Sequence, residues 1–437
     1  MEQKDKHEIS VMLNIHPKNI HKHYDMYIVK SFDSNQKLQI AQSCDLKDLF
    51  KKYSIEFIDC VFELPILCQE IYERKIAFSS CIFMKDFCFL DCIFLDLKFE
   101  KIIFKDKFSL IKIKHLKSSS FSQCIFEKEA RFEQNIFTNE VFFDRSIFNH
   151  VTISKTFFEA FSSFYFVTFK QPPLLENCVF NKHLTTTGSK LQQKEYEFIS
   201  TLSRLSSTQD KPEELLQSYR EGFCSIKNAL IKNNNLLDAS SYHKVELCCK
   251  ELELDSNTKK SPREWIDWAQ LFFYRNTSDH HTDTLKSFHT LIALIGVFGL
   301  LCGAIVLGFD YFAFDYKGGL DILSLKEAYS SHIKTSIQSH TWEYFLGNLA
   351  LILVFIGLFL GVVWKCSRDI LIPLGYVMTL GFLATSPKYL IPAMSLFGGG
   401  RAVLDPLGIV GGVYTLLFGF LAYSFIKTIR KNSIIPS

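Results

Sequence analysis

The sequence predicts a solenoid of coiled β-strands, then an α-helical hairpin, then an α-helical transmembrane domain. Three observations carry this reading. Large apolar residues recur every five positions between about 57 and 180, a helical period takes over from about 190, and nearly charge-free runs crowd the last third. The 437 residues suffice for two or three domains. With 49 Lys+Arg against 46 Asp+Glu, neither a basic nucleic-acid arm nor an acidic tail dominates, and no partner follows from net charge.

Residues 1–54 read as an N-terminal cap or small separate unit. Met1 to Lys6 leads into a charged stretch with His16, His21 and His23, not the apolar core of a secretory signal, so the N-terminus is expected to stay cytoplasmic. Strand-like stretches at Tyr24–Val29 and Leu38–Ala41 favour a cap. The 13 Cys form no CxxC pair, which suits free thiols in a reducing compartment.

The ladder occupies 55–182. It runs Phe57, Phe62, Leu67, Tyr72, Phe78 and Phe83, slips by one residue, and resumes at Phe89, Phe94, Phe99 and Phe104. After a looser stretch with Ile111 and Leu116 it continues through Phe121, Phe126, Phe132, Phe137, Phe143, Phe148, Ile153, Phe158, Phe164, Phe169 and Phe180. A five-residue period fits neither an amphipathic helix nor an ordinary strand. Each fifth side chain reaches one interior only if the chain turns corners between them. Two residues earlier the side chain is often small, as at Cys60, Cys81, Cys92, Ser119, Cys124, Ala130, Ser146, Thr156, Ser162 and Cys178. Each five-residue unit therefore buries one large and one compact residue. Buried Phe contributes roughly 2 kcal/mol per ring before entropy.

The units Cys60-Val61-Phe62, Cys81-Ile82-Phe83, Cys92-Ile93-Phe94 and Cys124-Ile125-Phe126 resemble the pentapeptide-repeat family in a Phe-centred variant. The resemblance implies a right-handed quadrilateral β-helix with four pentapeptides per turn, here about six turns forming a rod without a lumen. Pro65, Glu70 and Lys114 fall at would-be interior positions and mark expected bulges.

Residues 190–275 read as a helical cap or linker. Pro212-Glu213-Glu214 opens a helix whose face carries Leu216, Tyr219, Phe223, Ile226 and Leu230. Asn233-Asn234-Asn235 breaks it, and a second helix runs to about Leu254. The run Asn235–Tyr242 is similar to a segment that often follows the repeats in membrane-bound members of the family. The hairpin is expected to cover the solenoid end, whose strand edges otherwise stay unpaired. Trp265, Trp268, Phe272, Phe273 and Tyr274 suit an interfacial helix.

Between 285 and 431 four segments approach the roughly 20 apolar residues that cross a bilayer: Phe288–Phe309, Tyr344–Trp364, Ile370 to about Ile391, and Leu407–Ile426. Lys365, Arg368, Lys427, Arg430 and Lys431 follow the second and fourth segments, so the positive-inside rule predicts both termini in the cytoplasm and a multi-pass protein of a bacterial inner membrane.

Signals for chemistry are sparse. Asp279, His280, His281 and Asp283 are metal-ligating types, but on a helix they do not converge on one point, and a helix N-cap at Ser278 or Asp279 explains them as well. Gly398-Gly399-Gly400-Arg401 suits either a re-entrant turn at a pore or an extracytoplasmic loop. No P-loop, GxGxxG, GxSxG or HExxH is present. The expectation is a non-enzymatic scaffold without a cofactor, inserted in the lipid bilayer and presenting its repeats to a cytoplasmic protein. The alternative is a channel or transporter regulated by the repeat domain. DNA mimicry, known in soluble members of the family, is not expected, because residues 51–185 carry 18 Lys+Arg against 17 Asp+Glu.

Overall fold

The computed structural model describes residues 2–33, 36–40, 46–191, 200–202, 204, 212–257, 259–314, 322–363, 368–385 and 402–432. The chain forms two compact units, Met1–Ser261 and Pro262–Ser437.

The first unit is built on a β-solenoid of about seven turns. Its short strands stack in parallel on four faces, and each face has one inward column. The columns run Phe57–Phe78–Phe99–Phe121 on face one and Phe62–Phe83–Phe104–Phe126–Phe148–Phe169 on face two. Face three holds Cys68–Phe89–Leu110–Phe132–Ile153–Leu175. Face four holds Tyr72–Phe94–His115–Phe137–Phe158–Phe180. Like rings stack on like: Phe62 and Phe83 have centroids 4.7 Å apart, and Phe126 and Phe148 4.6 Å.

Two expectations need correction. The first is the coil length: Phe94 registers with Tyr72 and His115, 22 and 21 residues away, so a coil is longer than four pentapeptides. Non-glycine residues with left-handed φ recur about every eleven positions, among them Asp59, Ser80, Asp91, Lys101, Lys112, Gln123, Gln134 and Arg145. Each sits midway in a five-residue step, as Asp59 does between Phe57 and Phe62. The alternate corners take five or six residues, as from Phe83 to Phe89, and this produces the slip in the ladder. The second correction concerns inward positions. Leu67 is 61% exposed while its neighbours Ile66 and Cys68 are buried; Leu116 is exposed and Ile111 half-buried, their places being taken by His115 and Leu110. Pro65 and Lys114 are exposed, and Glu70 pairs with Lys51.

Helices α1 (Glu2–Leu13) and α2 (Leu46–Lys52) belong to the same unit. Ile9, Leu13, Leu49 and Phe50 join the solenoid core. Phe50 lies edge-on to Phe57, Tyr72, Phe78 and Phe89. The strand Met26–Val29 pairs in parallel with Ile55–Ile58, and Leu38–Ile40 with Cys60–Phe62. At the other end stand α3 (Pro212–Lys232) and α4 (Leu236–Ser256), the latter capped by the Asn235 side chain. Ile226, Ala229, Leu230 and Ala239 share the solenoid core. The approach is close enough to require glycine at 222, where a Cβ would meet the Leu175 carbonyl oxygen at 2.4 Å.

The second unit contains α5 (Pro262–Ser278), α6 (Thr284–Phe314), α7 (Ile322–Ser339), α8 (Thr341–Val363), α9 (Arg368–Thr385) and α10 (Pro406–Asn432). Among the described residues three helices, not the four anticipated, are long and apolar enough to cross a membrane: Thr284–Phe309, Thr341–Val363 and Pro406–Arg430. The segment expected to span 370–391 gives the 18-residue α9, which begins with Arg368 and Asp369 and contains Pro373; residues 386–391 lie outside the described residues. Helix α9 nevertheless runs alongside α6 in the same direction. Arg368 donates to the Lys286 carbonyl (3.3 Å), and Gly299 faces Met378 and Phe382. Helix α10 returns antiparallel, with Tyr414 stacked on Phe298 (4.1 Å) and Phe425 beside Phe288 (5.8 Å).

Candidate functional site

The solenoid interior is chemically inert. Cys60, Cys81, Cys92 and Cys124 are fully buried, as are Phe89, Phe94, Phe99 and Phe132, while Phe62, Phe83, Phe126, Phe137, Phe148 and Phe158 are at most 2% exposed. Burial pushes the Cys92 and Cys124 thiols up to about 12, and that of Cys178 likewise, so these sulfurs stay protonated and unreactive. The compact positions also have a role that spacing alone does not reveal. Their side chains reach back one coil to a main-chain carbonyl: Cys81 Sγ to Phe57 O (3.3 Å), Cys124 Sγ to Phe99 O (3.6 Å), Ser146 Oγ to Phe121 O (2.5 Å) and Asn135 Nδ2 to Leu110 O (3.0 Å). Cys, Ser, Thr and Asn there act as small donors, while Ile102 and Val167 fill the equivalent place without one.

Apart from a cavity of about 200 Å³ at the hairpin end, lined by Phe164, Phe169, Leu175 and Tyr242 among others, the interior is filled, and any recognition by the solenoid falls to the outer faces. On faces two and four the residue before each inward ring points outward and is mostly aliphatic. Face two carries Val61, Ile82, Ile103, Ile125 and Ile147 in register. Face four carries Ile71, Ile93, Ile136, Phe157 and Val179, interrupted by Lys114. Ile71 is 57% exposed and Phe157 45%. The corresponding column of face one is mixed, with Glu56, Ala77, Lys98, Ser120 and Phe142, and so is that of face three, with Leu67, Cys88, Ser109, Arg131 and Thr152.

In the second unit the four predicted metal-ligating residues lie between α5 and α6, and they form no helix. Asp279, His280 and His281 have φ of 53°, 55° and 64°, a left-handed turn costing of order 1 kcal/mol per residue. Asp283, rather than Ser278 or Asp279, caps α6 by accepting from Lys286 N (2.9 Å), and the Asp279 carboxylate accepts from Thr282 (3.2 Å). His281 packs against Tyr274 (4.5 Å), and its Nδ1 lies 2.9 Å from Ser424 Oγ, tying the turn to α10. Among the described residues no three His, Cys, Asp or Glu side chains gather as a metal site. Gly398, Gly399, Gly400 and Arg401 lie outside the described residues.

At the opposite end of the bundle a cavity of about 930 Å³ opens between Ile305 and Gly308 of α6, Tyr329 and Ile333 of α7, and Gly347 and Asn348 of α8. Tyr329 donates to the buried Asp405 carboxylate (2.5 Å), which also accepts from Leu407 N (3.1 Å) at the start of α10. The amide nitrogen of Asn348 donates to Leu404 O (2.8 Å). Burial and the Asp405 carboxylate push the Tyr329 phenol well above its ordinary value, so it stays a donor at all physiological pH. No sequence motif marks this site, because its members come from α6, α7, α8 and the residues around 405.

No family model, curated protein or solved structure matches the chain.

Proposed function

We propose that the protein is a membrane-anchored scaffold of the pentapeptide-repeat type, whose solenoid stands in the cytoplasm and offers an outer face to a protein partner. The observation that carries this reading is the in-register, mostly apolar column on face four, broken only at Lys114 among the described residues, on a solenoid whose core holds rings and inert thiols. Stacked coils hold such a column at fixed spacing, so a partner is met without ordering a flexible surface. The scaffold is non-enzymatic, binds no nucleic acid, and lies in a bacterial inner membrane with both termini inside, which requires α9, parallel to α6, to cross as a fourth element beside the three candidate spans. Regulated transport has less support: along the candidate spans Lys286, His289, Glu343, Lys427 and Arg430 all stand within two turns of an end, whereas coupled transport uses ionisable groups at depth.

The test is site-specific photocrosslinking in living cells from Phe157 on face four and from Arg131 on face three. A discrete protein adduct is expected from Phe157 alone, and it should disappear with Ile93→Glu plus Val179→Glu. Equal adducts from both faces, or none from either, would remove the scaffold reading.

A further inference from the structure

The cavity at the far end of the helical bundle has the features of a binding site for an amphiphile. Its walls come from the last turns of one candidate span, Ala304–Phe309, and the first turns of another, Tyr344–Leu351. Two glycines keep it open: a Cβ at Gly308 or at Gly347 would meet nothing within 4 Å. Its volume, about 930 Å³, is that of a ligand pocket, not of a packing defect.

Among the polar groups at the cavity, Ser336 and Tyr344 bond to each other (2.8 Å) and His340 Nδ1 engages Ser339 Oγ (2.8 Å). The Tyr329 proton is committed to Asp405 and the Asn348 amide nitrogen to Leu404 O, which fixes the orientation of that amide. Asn348 is 4% exposed, and its Oδ1 accepts no hydrogen bond among the described residues. A buried carbonyl of this kind calls for a donor. The carboxylate of Glu343 stands in the same lining and favours a cation over an anion.

We infer that this cavity binds a lipid whose head carries a hydrogen-bond donor, an ammonium group before a hydroxyl, with the head at Glu343 and Asn348 and a chain lying deeper, against Ala304, Ile305 and Leu351. Apolar walls at the level where two spans end fit a lipid lying with its head at the interface and its chain in the hydrocarbon. The inference uses the reading of these helices as membrane spans and is independent of the scaffold.

The full-length protein, reconstituted in nanodiscs, would be exposed to phosphatidylethanolamine or phosphatidylglycerol bearing a photoactivatable acyl chain, and the adducts mapped by mass spectrometry. Phosphatidylethanolamine is expected to label 304–309 and 344–351 at least fivefold more than phosphatidylglycerol. Gly347→Leu, whose Cβ would meet nothing within 4 Å, should remove that labelling while leaving thermal unfolding unchanged; Gly308→Leu replaces it if the first variant does not fold. Equal labelling by the two lipids, or labelling unaffected by the filling variant, would overturn the inference. So would its loss on adding glycerophosphoethanolamine, since the ligand would then be a soluble head without chains. Failure to enter nanodiscs would instead remove the membrane reading itself.

Discussion

His115 stacks on Phe137 with ring centroids 4.4 Å apart and planes at 11°, occupying the place of a phenylalanine in the inward column of face four. Its other neighbour in that column, Phe94, is 6.3 Å away. The imidazole is 1% exposed, and its Nδ1 shares a hydrogen bond with Ser119 Oγ (2.9 Å). Burial holds its pKa down at about 3, so the folded protein keeps this ring neutral while the unfolded chain protonates it near 6.5. Because the folded-state value is the lower one, its penalty is absent above about pH 6.5 and grows as pH falls from there toward 3.

His115→Phe is therefore expected to leave the unfolding temperature near pH 7.5 unchanged or slightly raised. It should also remove part of the loss of stability on acidification, roughly 2 kcal/mol between pH 7 and pH 5. Thermal unfolding of the two proteins at both pH values reads this directly. Parallel acid profiles would show that the imidazole is reached by water.

Phe94→Asp tests the columns themselves. Phe94 is fully buried, with Tyr72 at 5.2 Å and Phe89 at 4.9 Å. A carboxylate there has no partner and costs several kcal/mol. Limited proteolysis of the full-length variant should cleave within 55–182 under conditions that leave the parent intact, and protection equal to the parent's would contradict the inward assignment.

The solenoid was legible because its signal is periodic and most units bury one large side chain before a corner; the compact position was less regular, since Phe87 and Phe108 place buried rings there and stack on each other. The ladder failed where a single residue broke the pattern. Histidine at 115 does not read as a ring in a Phe column, and Leu67, apolar and five residues after Phe62, was expected inside although the chain turns it out. The left-handed corners were invisible because Asp, Ser, Lys and Gln, not glycine, occupy them. Spans α6, α8 and α10 were legible from length and apolarity. The pairing of Tyr329 with Asp405 was not, since 76 positions separate the two residues and only tertiary folding brings them together.

The contact between α6 and α9 depends on two glycines. A Cβ on Gly375 would meet the Ile292 carbonyl oxygen at 2.2 Å, and one on Gly296 would meet Gly375 Cα at 2.7 Å. Small residues at such crossings let helix backbones approach closely where water supplies no hydrophobic drive. Gly375→Ala should lower the detergent-state unfolding temperature by several degrees, whereas Gly381→Ala, with nothing within 4 Å of its Cβ, should not. Equal behaviour of the two would show that the helices separate without cost.

The proposed orientation across the membrane rests on which residues share an end of the bundle. Lys286 and Arg368 meet at one end, where His281 touches Ser424 close to Lys427 and Arg430. Tyr329, Asn348 and Asp405 mark the other end. With α10 returning antiparallel to α6, the start of α6 and the end of α10 lie at the same, basic end, which the proposed orientation puts in the cytoplasm. A cysteine at the exposed Ser339, in a background whose other accessible cysteines are replaced by serine, should react with a membrane-impermeant maleimide in intact cells. One at the exposed Asn228 should react only after permeabilisation. The reverse pattern would turn the protein over, and labelling of both in intact cells would place the solenoid outside with an even number of crossings between Asn228 and Ser339.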